Sequence, residues 1–136
     1  IETVDSLDIA RMLDRILAET DVSGFPVYLE INMSGELTKS GVASHEAASR
    51  RDRVMQYCTR LSVEGLMTIG PNTEAEREIR TAFQGLRLLR DSLASESGLL
   101  LDELSMGMSG DYEIAVEEGS TIVRVGTGIF GKRSAK

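Results

Sequence analysis

The residues best suited to hold a charged ligand lie near the end of the chain, in "STIVRVGTGIFG", residues 120–131. Ile122, Arg124 and Gly126 share one face of a predicted strand, and Val123 and Val125 share the other. A parallel strand is covered on both faces, so Arg124 is expected to be buried or to line a cavity, where a guanidinium needs a partner. An ion pair with Glu30 or Glu103 is one solution, and a bound ligand is the other. "GTG" at 126–128 lets main-chain N–H groups approach an anion, and Thr127 adds a hydroxyl; taken alone, the same stretch also reads as a plain glycine loop. Ser109, ahead of a short helix predicted over 110–118, is either an ordinary N-cap or a further phosphate donor. Asp111 beside it would repel an anion, so its side chain is expected to point outward. Met106 is either a core residue or a contact for a flat ring, and Asn32, polar at the end of a strand, is a candidate pocket-lining group.

Other reactive residue types carry less. No Cys/His cluster follows any strand, so a metal site is not expected. The single histidine, His45, opens a helix and is expected to be exposed. The single cysteine, Cys58, lies in a helical stretch and reads as a small packed hydrophobe. It cannot form an intrachain disulfide, which points to a reducing, cytoplasmic setting. Glu74, Glu76 and Glu78 read as a solvated helix face. No catalytic residue is assigned.

The elements that must position these groups alternate along the chain. "IETV" ends a strand, and the following helix, with Leu7, Met12, Leu13, Ile16 and Leu17 at helical spacing, takes Asp5 as N-cap. "VYLEIN" is a strand, "MSGELTKSG" a glycine-rich loop, and 44–62 a second helix. "VEGLMTI" is a strand, and Thr73 with Glu76 fits a capping box for a long helix to about Ser95. "LLLDELSMGMS" holds the next strand, "DYEIAVEEG" a short helix stopped by Gly119, and 120–131 the last strand and its loop. The order β-α-β-α-β-α-β-α-β implies parallel strands, in either a doubly wound sheet or part of a (β/α) barrel. Both architectures bind ligands at the carboxyl ends of their strands, where "NMSGELTKSG", "TIGPN", "SMGMSGD" and "GTGIFG" fall.

Composition limits the partners. The 136 residues, 41% apolar and 27% charged, suit one domain, 1–136, with a basic tail, 132–136, expected to fray. A net charge of −7 argues against general nucleic-acid binding, and no apolar run reaches the ~20 residues of a membrane span.

The motifs are also specific. "LSMGMSGDYEIAVEEGSTIVRVGTGIFGKR" closely resembles the C-terminal signature of the pyridoxal phosphate homeostasis protein family, whose fold is an alanine-racemase-like barrel. "EINMSGELTKSGV" resembles that family's strand-five segment, "GLMTIGPNTE" its strand-six segment and "ETVDSLDIA" the start of its fourth helix, so the likeness covers essentially the whole chain. It implies an incomplete TIM-type α/β barrel of roughly strands four to eight, binding pyridoxal 5'-phosphate (PLP). It also implies that Arg124 faces the ring nitrogen, with Gly126, Thr127, Ser109, Met106 and Asn32 around the cofactor.

The family's Schiff-base lysine lies at the end of the first barrel strand, outside this chain; Lys39 matches the loop after strand five instead. The resemblance implies intracellular PLP homeostasis without turnover, with PLP-dependent apo-enzymes as possible recipients. The alternative is a PLP-dependent racemase or decarboxylase on the same barrel, which needs an acid/base residue over the ring; none of Tyr28, Tyr57 and Tyr112 follows a strand end. A sugar-phosphate barrel enzyme is disfavoured by the lack of strand-end Asp, His or Lys residues. Five strands leave two edges unpaired, so the chain is expected to self-associate or to need an N-terminal half.

Overall fold

A computed structural model describes residues 1–132. Of the expected tail, Lys132 is exposed and the rest lies outside the described residues. The described residues form eleven elements, of which β2, the 3-10 turn and α5 were not predicted: helix α1 (Leu7–Glu19), strands β1 (Phe25–Asn32) and β2 (Val42–Ala43), a 3-10 turn (Ser44–Glu46), helix α2 (Ala47–Tyr57), strand β3 (Leu61–Met67), helix α3 (Glu76–Ser97), strand β4 (Glu103–Met108), helix α4 (Tyr112–Glu117), strand β5 (Ile122–Arg124) and, where a plain loop was expected, the single-turn helix α5 (Thr127–Phe130).

All strand pairs are parallel and the sheet order is β2-β1-β3-β4-β5. The main strands thus add one after another with no reversal, as in a barrel; a doubly wound sheet would reverse at a switch point. Burial leads to the same conclusion. One apolar cluster joins the strand residues Val27, Leu29, Ile31, Val63, Leu66, Leu104 and Met106 to residues of α1, α2, α3 and α4. All four helices therefore cover one face. Burying side chains such as Phe83, Leu29 and Leu104 there contributes about 2 kcal/mol each.

The opposite, inner face carries Tyr28, Glu30, Glu103, Ser105 and Arg124, following strand alternation and the register Tyr28↔Gly65, Glu30↔Met67, Gly65↔Glu103 and Met67↔Ser105. A bulge between Val27 and Tyr28 shifts the β1–β3 register. The expected opening strand is reduced to a single parallel bridge, Val4 to Leu29, beside β1. Farther along, β2 occupies the same edge of β1 through Ile31↔Val42 and Asn32↔Ala43.

Several local expectations are corrected. Ser6, not Asp5, caps α1, its hydroxyl accepting from Ile9 N–H at 3.3 Å. Met12 and Ile16 face outward, while Leu7 and Ala10 carry the helix into the core. The second helix stops at Tyr57 rather than 62, because Asp14 Oδ1 accepts from Arg60 N–H at 2.8 Å and Leu61 must enter β3 opposite Phe25. The capping box at Thr73 and Glu76 does not form. Thr73 Oγ1 accepts instead from Ala75 N–H, two residues on, and α3 starts without a side-chain cap. Cys58 is fully buried, and burial pushes its thiol pKa up, as fits a packed hydrophobe. His45, Glu74, Glu76 and Glu78 are exposed as expected.

Candidate functional site

Arg124 ends β5 on the inner face with its side chain 24% exposed, and its surroundings differ from both expected partners. Its Nη1 donates to Ser105 Oγ at 2.6 Å and its Nη2 to the Thr68 carbonyl at 2.9 Å. The nearest carboxylate is neither Glu30 nor Glu103 but Glu2, 3.9 Å from Nη1. Thr68 is held in turn, its hydroxyl donating to the Ile31 carbonyl at 2.7 Å. Two of the guanidinium's five N–H donors are thus engaged, and the other three find no acceptor among the described residues.

The inner face around it is negative. Burial raises the Tyr28 phenol pKa, and Glu103, Glu2 and Glu64 raise it further. Glu30 is 5% exposed and makes no hydrogen bond or ion pair with the described residues. Its carboxyl pKa is raised first by burial and then by Asp5, with Arg124 opposing.

At the carboxyl ends of β4 and β5 two loops meet. Gly128 N–H donates to Ser109 Oγ at 3.0 Å, so Ser109 joins the glycine loop to the turn before α4. It is not the N-cap of α4; that place belongs to Asp111. Asp111 also departs from the expected outward orientation. It folds back so that Oδ1 accepts from Met108 N–H at 2.7 Å, which turns this carboxylate into a clamp on the loop. The N–H groups of Gly126 and Thr127 find no acceptor among the described residues. A Cβ built on Gly126 meets nothing within 4 Å, so the chain's own packing does not require glycine there. At Gly107 it does. With φ +98°, a Cβ would lie 2.6 Å from the Ala115 Cβ, so the glycine lets α4 seat on β4.

Met106 is corrected. It is fully buried in the helix-side core, and its neighbour Ser105 takes the inner face. Asn32 ends β1 as expected, but its side chain organises the loop that follows it. Its Nδ2 donates to the Glu36 carbonyl at 2.8 Å and its Oδ1 accepts from Gly35 N–H at 3.0 Å. That loop reaches the one after β3: Lys39 Nζ donates to the Gly70 carbonyl at 2.8 Å and pairs with Glu36 at 2.8 Å, which holds the Glu36 carboxyl below its ordinary pKa. Gly70 also faces Asp111, whose Oδ2 would lie 2.6 Å from any Cβ added there. Arg124, Ser109, Gly126 and Thr127 therefore gather at one end of β4 and β5, whereas Met106 and Asn32 do not point into the same space. Sequence reasoning missed Ser105, Thr68 and Glu2. Ser105 was within reach, because strand alternation allows Ser105 or Met106, but not both, on the inner face.

Among the described residues, no group of His, Cys, Asp and Glu is placed to hold a metal ion, and no helix is long and apolar enough to cross a membrane. Comparison with known proteins agrees with the fold. Residues 1–134 match the family described as alanine racemase, N-terminal domain. The chain is 40% identical over 132 residues to the pyridoxal phosphate homeostasis protein of Aquifex aeolicus, covering 96% of this chain and 58% of that protein. To the human protein of the same name it is 39% identical, covering 98% and 50%. The chain thus spans about half the length of these curated relatives.

Among solved structures, PipY of Synechococcus elongatus PCC7942 with PLP bound superposes with a TM-score of 0.84 at 34% identity, over 96% of this chain and 60% of that one. Alanine racemase of Clostridium difficile 630, at 16% identity and a TM-score of 0.75 over 97% and 36%, shares the fold. The chain belongs to the alanine racemase N-terminal domain family, with pyridoxal phosphate homeostasis proteins among its relatives, and its sheet is an incomplete barrel of that type.

Proposed function

We propose, from that membership, that this chain forms the ring-nitrogen and phosphate side of a PLP site in a protein that holds the cofactor for intracellular homeostasis without turning over a substrate. The observation that carries the reading is Arg124, fixed by Ser105 and the Thr68 carbonyl yet with three N–H donors that find no acceptor among the described residues. The residues fit the group at both ends. A planar donor that keeps its proton suits a pyridine nitrogen, and the free amides of Gly126 and Thr127, beside Ser109, suit a phosphate. The absence of packing around Gly126 leaves room for close approach.

When bound, the cofactor supplies a reactive aldehyde and an electron-withdrawing ring. Arginine has a pKa above ~12, so Arg124 donates a hydrogen bond without surrendering a proton, and the ring nitrogen stays neutral. That arrangement weakens the ring as an electron sink and suits holding over turnover. Tyr28 supports the same conclusion. It is the one tyrosine placed on the inner face, and burial together with three carboxylates keeps its phenol protonated, which makes it a poor base. The lysine that bonds the cofactor, the segment that carries it and recipient apo-enzymes belong to this proposal as partners outside the chain, as does a cytoplasmic setting.

A spectral titration tests the reading. PLP added to the protein should saturate at one equivalent, Arg124→Ala should weaken binding by about ten- to a hundredfold, and alanine should not be racemised. Equal binding by wild type and Arg124→Ala would sink it.

A further inference from the structure

The arginine described above does not hold its own orientation. Ser105 is fully buried, and its hydroxyl has one hydrogen to give. A guanidinium cannot accept, so at the 2.6 Å contact the nitrogen donates and the hydroxyl hydrogen must go elsewhere. It goes to Glu2 Oε2, also at 2.6 Å. The direction of every proton in the chain Arg124→Ser105→Glu2 is therefore fixed by chemistry. Glu2 lies 3.9 Å from the guanidinium, too far for a direct hydrogen bond, so its grip is exerted through the serine.

The contact also spans the hollow of the sheet. Glu2 comes from the segment on the outer edge of β1, whereas Ser105 is in β4, with β1 and β3 between them and 103 residues of chain separating the pair. The sheet is curved enough for side chains from opposite sides to meet. With Nη1 on Ser105 and Nη2 on the Thr68 carbonyl, the guanidinium is held at two of its nitrogens, and its plane is set.

We propose that Glu2 and Ser105 are positioning residues: they lock the plane of Arg124 so that its remaining N–H groups present a preset donor to an acceptor nitrogen of the ligand. The inference rests on the PLP reading for the ligand, but the locking is a property of the protein alone. It accounts for a glutamate reaching across the inner face to a serine, and for a buried serine in an otherwise apolar strand segment.

Two measurements separate the inference from the function it serves. In ligand-free protein, slow rotation of a locked guanidinium should give separate 15N-detected signals for the Arg124 Nη groups. Glu2→Leu should speed that rotation at least tenfold, and Glu2→Gln, which keeps an oxygen acceptor, should restore the slow regime. Glu2 is partly exposed, so its variants avoid the folding risk of the buried Ser105→Ala, which should behave like Glu2→Leu.

With PLP labelled at the ring 15N, Glu2→Leu should move the ring-nitrogen signal toward that of free cofactor and raise the dissociation rate about tenfold, while Glu2→Gln stays near wild type. Free rotation of Arg124 in the wild-type protein, or identical rotation in Glu2→Leu, would overturn the positioning role whatever PLP does. Slow rotation released by Glu2→Leu upholds the locking even where wild type binds no PLP, a result that overturns the functional reading alone.

Discussion

Two arginines in this molecule have opposite surroundings. Arg80, on α3, donates to Glu76, Glu117 and Glu118 at 2.7, 2.7 and 2.9 Å, and these hydrogen bonds raise its pKa well above the ordinary value for arginine. Among the described residues, Arg124 has no carboxylate within hydrogen-bond distance; a hydroxyl and a carbonyl hold it. Both are fixed, Arg80 by three carboxylates and Arg124 by two neutral groups on the inner face. The arginine that stitches helices is surrounded by acid, whereas the one proposed to meet a ligand is anchored by neutral groups. A carboxylate would hold Arg124 more tightly and compete with the ligand for the same N–H groups.

Removing either arginine tests that contrast. Arg124→Ala should give the largest functional effect, the ten- to hundredfold loss of PLP affinity given above. Arg124→Lys should recover little of it, because a point charge cannot span Ser105 and Thr68 and still reach a third acceptor. Ser109→Ala should come next, weakening PLP by about tenfold by titration, because it frees Gly128 N–H and slackens the link between the two strand-end loops.

Glu30→Gln should change stability more than binding. The folded-state pKa of Glu30 is raised, so the native state holds its proton more tightly than the unfolded chain does. Its contribution is therefore favourable at low pH and is lost as pH rises from the unfolded value through the raised folded one. Melting curves at pH 4 and pH 8 should show Glu30→Gln more stable than wild type at pH 8, by about 1 kcal/mol from relief of an unpaired buried carboxylate, with the gap closing at pH 4. No gain at pH 8 would mean that Glu30 has a partner after all. Arg80→Ala should have the smallest effect, a slight fall in melting temperature that shrinks further in high salt, with PLP titration unchanged.

Much of the candidate site's placement was legible because it obeys local rules. Arg124 on one face with Ile122, the glycines after it, and Ser109 before a short helix all follow from strand alternation and turn chemistry. Met106 was misplaced because Ser105 and Met106 are both fully buried, and residue type alone does not say which face of a doubly covered strand is which. The register against Met67 and Ile122 decides it, and that information is not local. Glu2 was invisible for the same reason, 103 residues from the serine it holds. The helix ends at Tyr57 and Ala75 were shifted by tertiary demands: Asp14 catching the Arg60 amide, and Thr73 bonding two residues on instead of three. The barrel was readable as an alternation of elements, but its curvature is visible only once side chains meet across it.

Gly70 shows how the mouth of the site is built. The lysine of one strand-end loop rests on its carbonyl, and the aspartate that shapes another fills the space where a side chain would begin. Three connections that share no sequence neighbourhood are thus geared together at a residue of one hydrogen. A single methyl group at that point would push on all three at once, so the rim should yield as a unit rather than loop by loop.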